Sequence, residues 1–316
     1  MSDIPKYIRI NEEGPREGFQ FEKGPIETAK KIELIDSLAK TGLRQIQTVS
    51  FVPPQNVPGM ADADEVVRGF TPRPGVSYTA LWLNERGLER AISLGKLDIK
   101  GSIFLCASEV FLQKNQKRTM EENLRAQHAM VQAYKKRNIP VESCGIMAAF
   151  GCNFEGDIPI FKILDLIQQL IDIDEQYELG IQSLMLADTM AWATPLSIKR
   201  VVGAVRENFP KLRIGLHLHD TRGMGIANAF AGLEMGIDIF DAAVGGLGGC
   251  PFASHKGAAG NVCTEDLVFM CHEMGIETGI DLDLLIESAL LAERIVGHPL
   301  PGCVMKGGTL EKLRKK

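Results

Sequence analysis

The chain has 316 residues, 45% of them hydrophobic and 24% charged, with a formal net charge of -5. That length and composition suit one large α/β barrel with a sizeable core, and the acidic balance argues against nucleic acid or an anionic membrane as a partner. The apolar runs are too interrupted to span a bilayer, 1-MSDIPKYIRINEEG-14 lacks the marks of a signal or transit peptide, and seven cysteines without a CxxC pair point to reduced thiols in the cytoplasm.

The first strand candidate is 7-YIRINEE-13. The segment 25-PIETAKKIELIDSLAKTG-42 follows with helical period, Pro near its start and Gly past its end. Further strands are expected at 43–51, 76–84, 98–106 and 141–151. The run 160–180 repeats apolar residues at three and four and reads as another helix. Strands 181-IQSLMLAD-188 and 213-RIGLHLHD-220 come next, then a helix over 223–236 and a last strand, 237-IDIFDAAVGG-246. Eight strands alternating with helical segments predict a (β/α)8 TIM barrel over 1–290, with 291–316 as a C-terminal extension. A doubly wound open sheet would start with a Gly-rich turn, and 14-GPREG-18 is not GxGxxG.

Chemistry in such a barrel collects at the C-terminal ends of the strands. Those ends carry Arg16 and Glu17, Gln47 and Ser50, Asp188 and Thr189, His217 and His219, and the loop 245-GGLGGC-250. In a strand, Gly215, His217 and His219 share one face while Ile214, Leu216 and Leu218 share the other. Two imidazoles on one face look like half of a metal site, with Glu17 as the available carboxylate and Asn261 as an amide oxygen. The alternative reading is a pair of hydrogen-bonded barrel histidines. Arg16 reads equally as a strand-end ion pair. Cys250 is either a small buried thiol or a catalytic group carried on a glycine loop. The remaining cysteines, Cys106, Cys144, Cys152, Cys263, Cys271 and Cys303, read as structural. A phosphate cradle at 245–249 is disfavoured because no Lys or Ser/Thr follows in P-loop order.

Longer motifs now carry a resemblance. The stretches 14-GPREGFQFEKG-24, 50-SFVPPQNVPGMADADEV-66, 151-GCNFEG-156, 187-ADTMAWATP-195, 217-HLHDTRGMGIAN-228 and 244-VGGLGGCPFASHKGAAGNVCTEDL-267 resemble the 3-hydroxy-3-methylglutaryl-CoA lyase family, a group of metal-dependent barrel enzymes related to isopropylmalate synthase. The resemblance runs from about Ile8 to Leu284. It implies cleavage of a 3-hydroxy-acyl-CoA into acetyl-CoA and an oxo acid. It implies a divalent ion, Mg²⁺ or Mn²⁺ in the first place and Zn²⁺ as an alternative, held by Glu17, His217, His219 and Asn261. Arg16 would neutralise the thioester oxygen, Cys250 would donate the final proton, and Asp188 would lie near the reacting hydroxyl. Gln20, Gln47, Ser50, Trp192 and Arg222 would line the substrate pocket, and a homodimer is the expected assembly.

The chain departs from the family pattern at several of these positions. Glu17 stands for the usual Asp, carrying the carboxylate about 1.5 Å further. Gln47 replaces a glutamate, Ala191, Trp192 and Ala193 replace small glycines, and Arg222 replaces an aromatic. Met224 replaces a polar residue, and Ser254 and His255 form an insertion. The metal and proton-donor positions survive while the pocket is rebuilt, so a lyase of the same mechanism acting on a different acyl group is expected. The competing classes are a metal-dependent aldolase or Claisen-type synthase on a 2-oxo acid, and a barrel without catalysis.

Overall fold

The computed structural model describes residues 4–22, 24–249 and 260–314. Eight parallel strands, β1 Arg9–Glu12, β2 Gln45–Ser50, β3 Ser77–Leu81, β4 Gly101–Cys106, β5 Val141–Met147, β6 Ser183–Ala187, β7 Arg213–His217 and β8 Ile239–Ala242, form one sheet in the order β3-β2-β1-β8-β7-β6-β5-β4. The two ends of that order meet where the Asp98 N–H bonds the Tyr78 carbonyl at 2.8 Å and the Tyr78 N–H bonds Asp98 Oδ2 at 3.1 Å. The result is the (β/α)8 TIM barrel that the strand count predicts. Each predicted strand is found, most of them shorter than their apolar runs, because several runs continue into the loops at the barrel mouth.

Alternation explains both faces of the wall. Ile8, just before β1, and Ile10 on it are buried in the hydrophobic cluster. Arg9 and Asn11 point the other way and bond side chains of neighbouring strands, Arg9 to Gln45 and Asn11 to Asp241 at 2.8 Å. The helices pack by their apolar stripes. Ile160–Tyr177 buries Ile163, Leu166, Ile167, Leu170 and Ile173 at helical spacing, each side chain contributing about 1.5–3 kcal/mol. The helix stops where Glu178 turns left-handed at φ 52°. Pro195–Asn208 starts with Thr194 accepting the Ser197 N–H and Pro195 in the first turn, where a missing N–H costs nothing. The first predicted helix runs over Thr28–Leu38, so Pro25 lies ahead of it rather than inside its first turn.

Two ends differ from the expected boundaries in ways that shape the mouth. β7 stops at His217, opposite Ala187, so His219 lies beyond the ladder rather than on it. There the chain pairs with the segment that returns after β8. The Val262 N–H bonds the Leu218 carbonyl at 2.9 Å, the Asp220 N–H bonds the Gly260 carbonyl at 2.7 Å, and His219 bridges Asn261. At the C-terminus, the helix Leu282–Val296 passes through residue 290 unbroken, and Leu300, Val304 and Met305 beyond it are buried in the core cluster. Among the described residues, no helix is long and apolar enough to cross a membrane.

Candidate active site

After β1 the chain makes one wide turn, Gly14–Gly18, entered through Pro15. Glu12 secures it from below. Its Oε1 accepts the Gly14 N–H at 2.8 Å and the Val244 N–H at 2.9 Å, and its Oε2 accepts the Thr264 hydroxyl at 2.7 Å. One buried carboxyl thus ties the turn bearing Arg16 and Glu17 to the root of the glycine loop after β8. Burial pushes Glu12 up to about 8, against these hydrogen bonds.

The two imidazoles arrive with their protons already assigned by their neighbours. His219 Nδ1 lies 2.8 Å from the Thr189 carbonyl, which only accepts, so Nδ1 carries the hydrogen. His217 Nδ1 lies 3.2 Å from Asp241 Oδ2, which fixes it in the same way. In the neutral rings both Nε2 atoms therefore present lone pairs, and they sit 3.1 Å apart. Glu17 Oε1 is 3.2 Å from His219 Nε2, and its Oε2 is 3.9 Å from His217 Nε2. Acceptors converging at such distances repel one another unless a cation lies among them. Without a metal ion a proton takes that part: burial pulls His217 down, but the Asp241 hydrogen bond and the charges of Glu17, Asp241 and Glu13 outweigh it and raise the imidazole to about 9.

Glu17 is the ionised partner. Burial alone would raise its carboxyl, yet the Arg16 guanidinium, the neighbouring His219 and the charge of His217 hold it well below the usual carboxylate range. Asn261 donates from Nδ2 to Glu17 Oε1 at 2.9 Å and to the Leu247 carbonyl at 3.0 Å. Its Oδ1 is buried and has no hydrogen-bond partner among the described residues, an arrangement that costs about 1–3 kcal/mol unless a ligand relieves it. Gly248, at φ 84°, brings the loop onto this pair: a Cβ there would lie 2.7 Å from Asn261 Nδ2 and 2.9 Å from Glu17 Cγ. Two lone-pair nitrogens, one ionised carboxylate and one orphaned amide oxygen fit a divalent ion of borderline hardness.

Arg16 lies beside the cluster. Nη1 is 3.1 Å from Glu17 Oε2, Nη2 donates to Glu13 Oε2 at 2.6 Å, and Nε donates to Gln47. Asp188 Oδ1 accepts the Trp192 N–H at 2.7 Å and the Ala193 N–H at 3.0 Å, while its Oδ2 is buried with no hydrogen-bond partner among the described residues. Burial pushes this carboxyl up to about 6. Ser50 bonds Gln20 at 3.4 Å, so these two expected pocket residues meet. Trp192, on the loop after β6, meets the loop after β5, and Arg222 meets the loop after β6. The Trp192 indole N–H donates to Asn153 at 2.7 Å. Its ring lies over Gly151, at φ 153°, where a Cβ would come within 2.6 Å of ring carbons. Arg222 Nη1 donates to the carbonyls of Met190 and Ala191, each at 3.0 Å. Cys250 and the insertion at Ser254 and His255 lie outside the described residues.

Sequence reasoning passed over Glu13 and Asp241. Asp241 carried a signal: it is the one acid in 239-IFDA-242, and the β7/β8 register places it directly against His217. Among the described residues a second close group exists, Cys263, Glu265 and Asp266. Its carboxylates already serve backbone N–H groups, Glu265 that of Gly245 at 3.0 Å and Asp266 those of Cys303 and Val304. That group therefore reads as structural.

Comparison with known proteins gives the family. The HMGL-like family model matches residues 7–291. The chain is 39% identical over 297 residues to hydroxymethylglutaryl-CoA lyase YngG of Bacillus subtilis, covering 94% of this chain and 96% of that one. It is 40% identical over 285 residues to the mitochondrial hydroxymethylglutaryl-CoA lyase of Gallus gallus, covering 90% and 92%. An HMG-CoA lyase from Acinetobacter baumannii, solved with coenzyme A and 3-methylmalate, superposes with a TM-score of 0.85 at 35% identity over 96% of each chain. The chain belongs to the HMGL-like family, whose relatives are carbon–carbon lyases built on this barrel.

Proposed function

We propose that this site cleaves the carbon–carbon bond of a 3-hydroxy-acyl-CoA of the hydroxymethylglutaryl type, releasing acetyl-CoA and an oxo acid. The convergence of the His217 and His219 Nε2 lone pairs on Glu17 carries this reading. Glu17, His217, His219 and Asn261 would hold a divalent ion, Mg²⁺ or Mn²⁺ by preference, which when bound polarises the substrate's hydroxyl and carbonyl oxygens.

The remaining work falls to the chain. Asp188 Oδ2, buried and without a hydrogen-bond partner among the described residues, accepts the substrate's hydroxyl proton. As the hydroxyl oxygen becomes a carbonyl, the carbon–carbon bond breaks and its electron pair passes to the thioester, whose oxygen develops negative charge. Arg16 faces that charge. The Cys250 thiol then donates its proton to the enolate carbon, which completes acetyl-CoA. A reading as an aldolase on a 2-oxo acid has no use for Cys250. Cys250→Ala should therefore lower lyase turnover by about 10²–10⁴ and leave divalent-ion content unchanged; full turnover would reject this assignment.

The rebuilt loop after β6 supports a shifted acyl group. Ala191 sits at φ 53°, a left-handed backbone that costs a non-glycine residue about 1–2 kcal/mol, and Arg222 clasps its carbonyl and that of Met190. Together with Trp192, these residues make a bulkier wall than glycines would, with its backbone held by Arg222. The deciding experiment is chelator treatment and Mn²⁺ reconstitution, followed by acetyl-CoA release from hydroxymethylglutaryl-CoA and from analogues with altered acyl chains. Metal-restored cleavage favouring an analogue is expected. Turnover of hydroxymethylglutaryl-CoA at the rate of a dedicated enzyme would reject the shifted specificity, and metal-independent cleavage would reject the mechanism. The same reading takes the protein as a cytoplasmic homodimer. Light scattering at twice 34.6 kDa checks the assembly.

A further inference from the structure

Glu13 has no part in the chemistry above, yet its carboxylate is among the most enclosed charges at the mouth. Its side chain is 4% exposed and that of Arg16 is 13% exposed, and the two meet at 2.6 Å. Arg16 is held on three sides: Nε by the Gln47 amide oxygen, Nη2 by Glu13 and Nη1 by Glu17. Of these three partners one is neutral, and Glu17 belongs to the cluster suited to a cation. When Glu17 commits its charge to a divalent ion, Glu13 is, among the described residues, the remaining carboxyl group in direct contact with the guanidinium.

Glu13 is also placed to hold a direction. It stands immediately after β1, its N–H bonds the Ala242 carbonyl of β8 at 2.8 Å, and its own carbonyl accepts the Glu17 N–H at 2.8 Å. Its backbone is thus fixed to the barrel wall and to the turn that carries Arg16 and Glu17. A guanidinium is a planar fork whose edges are distinct. Occupying Nε and Nη2 from the barrel side leaves the Nη1 edge turned toward Glu17 and the reacting centre.

We infer that Glu13 is a positioning residue for Arg16, the carboxyl group that keeps this buried guanidinium edge-on to the substrate's thioester oxygen once Glu17 is engaged by the metal ion. The inference rests on the role given to Arg16 under the proposed function. It leaves the ligands of the ion untouched.

The test compares Glu13→Ala, Glu13→Gln, Glu13→Asp and Arg16→Ala in the metal-reconstituted enzyme. Glu13→Ala should lower kcat by about 10²-fold, the usual consequence of a misplaced catalytic group, with KM and Mn²⁺ stoichiometry unchanged. Glu13→Asp should recover part of the loss. Glu13→Gln keeps an acceptor and the volume, and supplies a folded variant if the alanine fails to fold; it should also lower kcat. In the Arg16→Ala background, removing Glu13 should cost nothing more. An equal loss in that background, or unchanged kcat in a folded Glu13→Gln protein, overturns the inference. Nitrogen-15 resonances of the Arg16 side chain, recorded on the protein loaded with diamagnetic Mg²⁺, give a readout independent of catalysis. They should shift on Glu13→Gln, and their staying in place overturns the positioning role. Full activity of Arg16→Ala would instead defeat the role of Arg16 itself, with the resonances still deciding whether Glu13 holds it.

Discussion

The ends of β1 and β6 place two buried carboxylates around the same pair of imidazoles and give them opposite protonation behaviour. Glu17, after β1, touches a guanidinium, His219 and an amide N–H, and is held well below the usual carboxylate range against its own burial. Asp188, after β6, has one oxygen on two backbone N–H groups and the other without a partner among the described residues, and burial lifts it to about 6. Burial is nearly the same in both. The difference lies in what faces the second oxygen: a committed cation fixes a charge in place, and an unfilled position leaves a proton able to come and go. One carboxylate is thereby suited to hold an ion and the other to exchange a proton.

The sharpest way to break this contrast is to neutralise each member. Glu17→Gln should weaken Mn²⁺ binding by at least about 10²-fold, measured by calorimetric titration, and abolish turnover with it. Asp188→Asn should leave Mn²⁺ binding intact while turnover falls by about 10²-fold or more. If both variants lose the ion, Asp188 belongs to the binding set and the division of labour is wrong.

Glu12 sharpens the comparison through stability. Its folded carboxyl lies at about 8 against an ordinary 4.5, so between those values the folded chain keeps a proton that the unfolded chain has released. Stability from this group is complete below about 4.5 and is lost as the pH rises toward 8, by about 1.4 kcal/mol per pH unit. Glu12→Gln should flatten that decline in denaturant titrations of the metal-free protein by about one proton's worth. Glu17 carries the reverse sign: its contribution is present above its ordinary value and is lost as the pH falls. A Glu12→Gln profile parallel to wild type would show that Glu12 is ionised in the fold.

The smallest effect concerns the loop after β6. Ala191→Gly should raise stability by roughly 0.5–1 kcal/mol, since glycine takes φ 53° without strain. Arg222→Ala should cost less in that background than in wild type, because the clasp then restrains an unstrained turn. Thermal midpoints of the two single variants and the double variant check this, and additive losses would uncouple Arg222 from Ala191.

Much of this was legible in the chain itself. Apolar patterns of strand and helix period depend on local geometry alone, and they located all eight strands and the helices found at Thr28–Leu38, Ile160–Tyr177 and Gly225–Glu234. Parity along β7 placed His217 and His219 on one side, and the motif order pointed to Glu17 and Asn261 as their companions. The reading missed Glu13 because a second acid in 12-EEGPREG-18 looks like a solvated charge until Arg16 folds back onto it. It extended β7 too far because nothing local marks where the strand abandons β6 for the returning segment at 260–262.

Sequence by itself determined the barrel, the mouth at which chemistry collects and the residue types available there, since each follows from contacts between near neighbours along the chain. Only the tertiary structure decided which nitrogen of each imidazole carries a hydrogen, which carboxylate stays charged and which oxygen is left without a partner. Those outcomes depend on pairs such as His219 with Glu17, 202 residues apart, and Asn261 with Glu17, 244 apart. Coulombic and hydrogen-bond energies at such contacts change steeply over an ångström, and no spacing in a linear pattern records a distance of that kind.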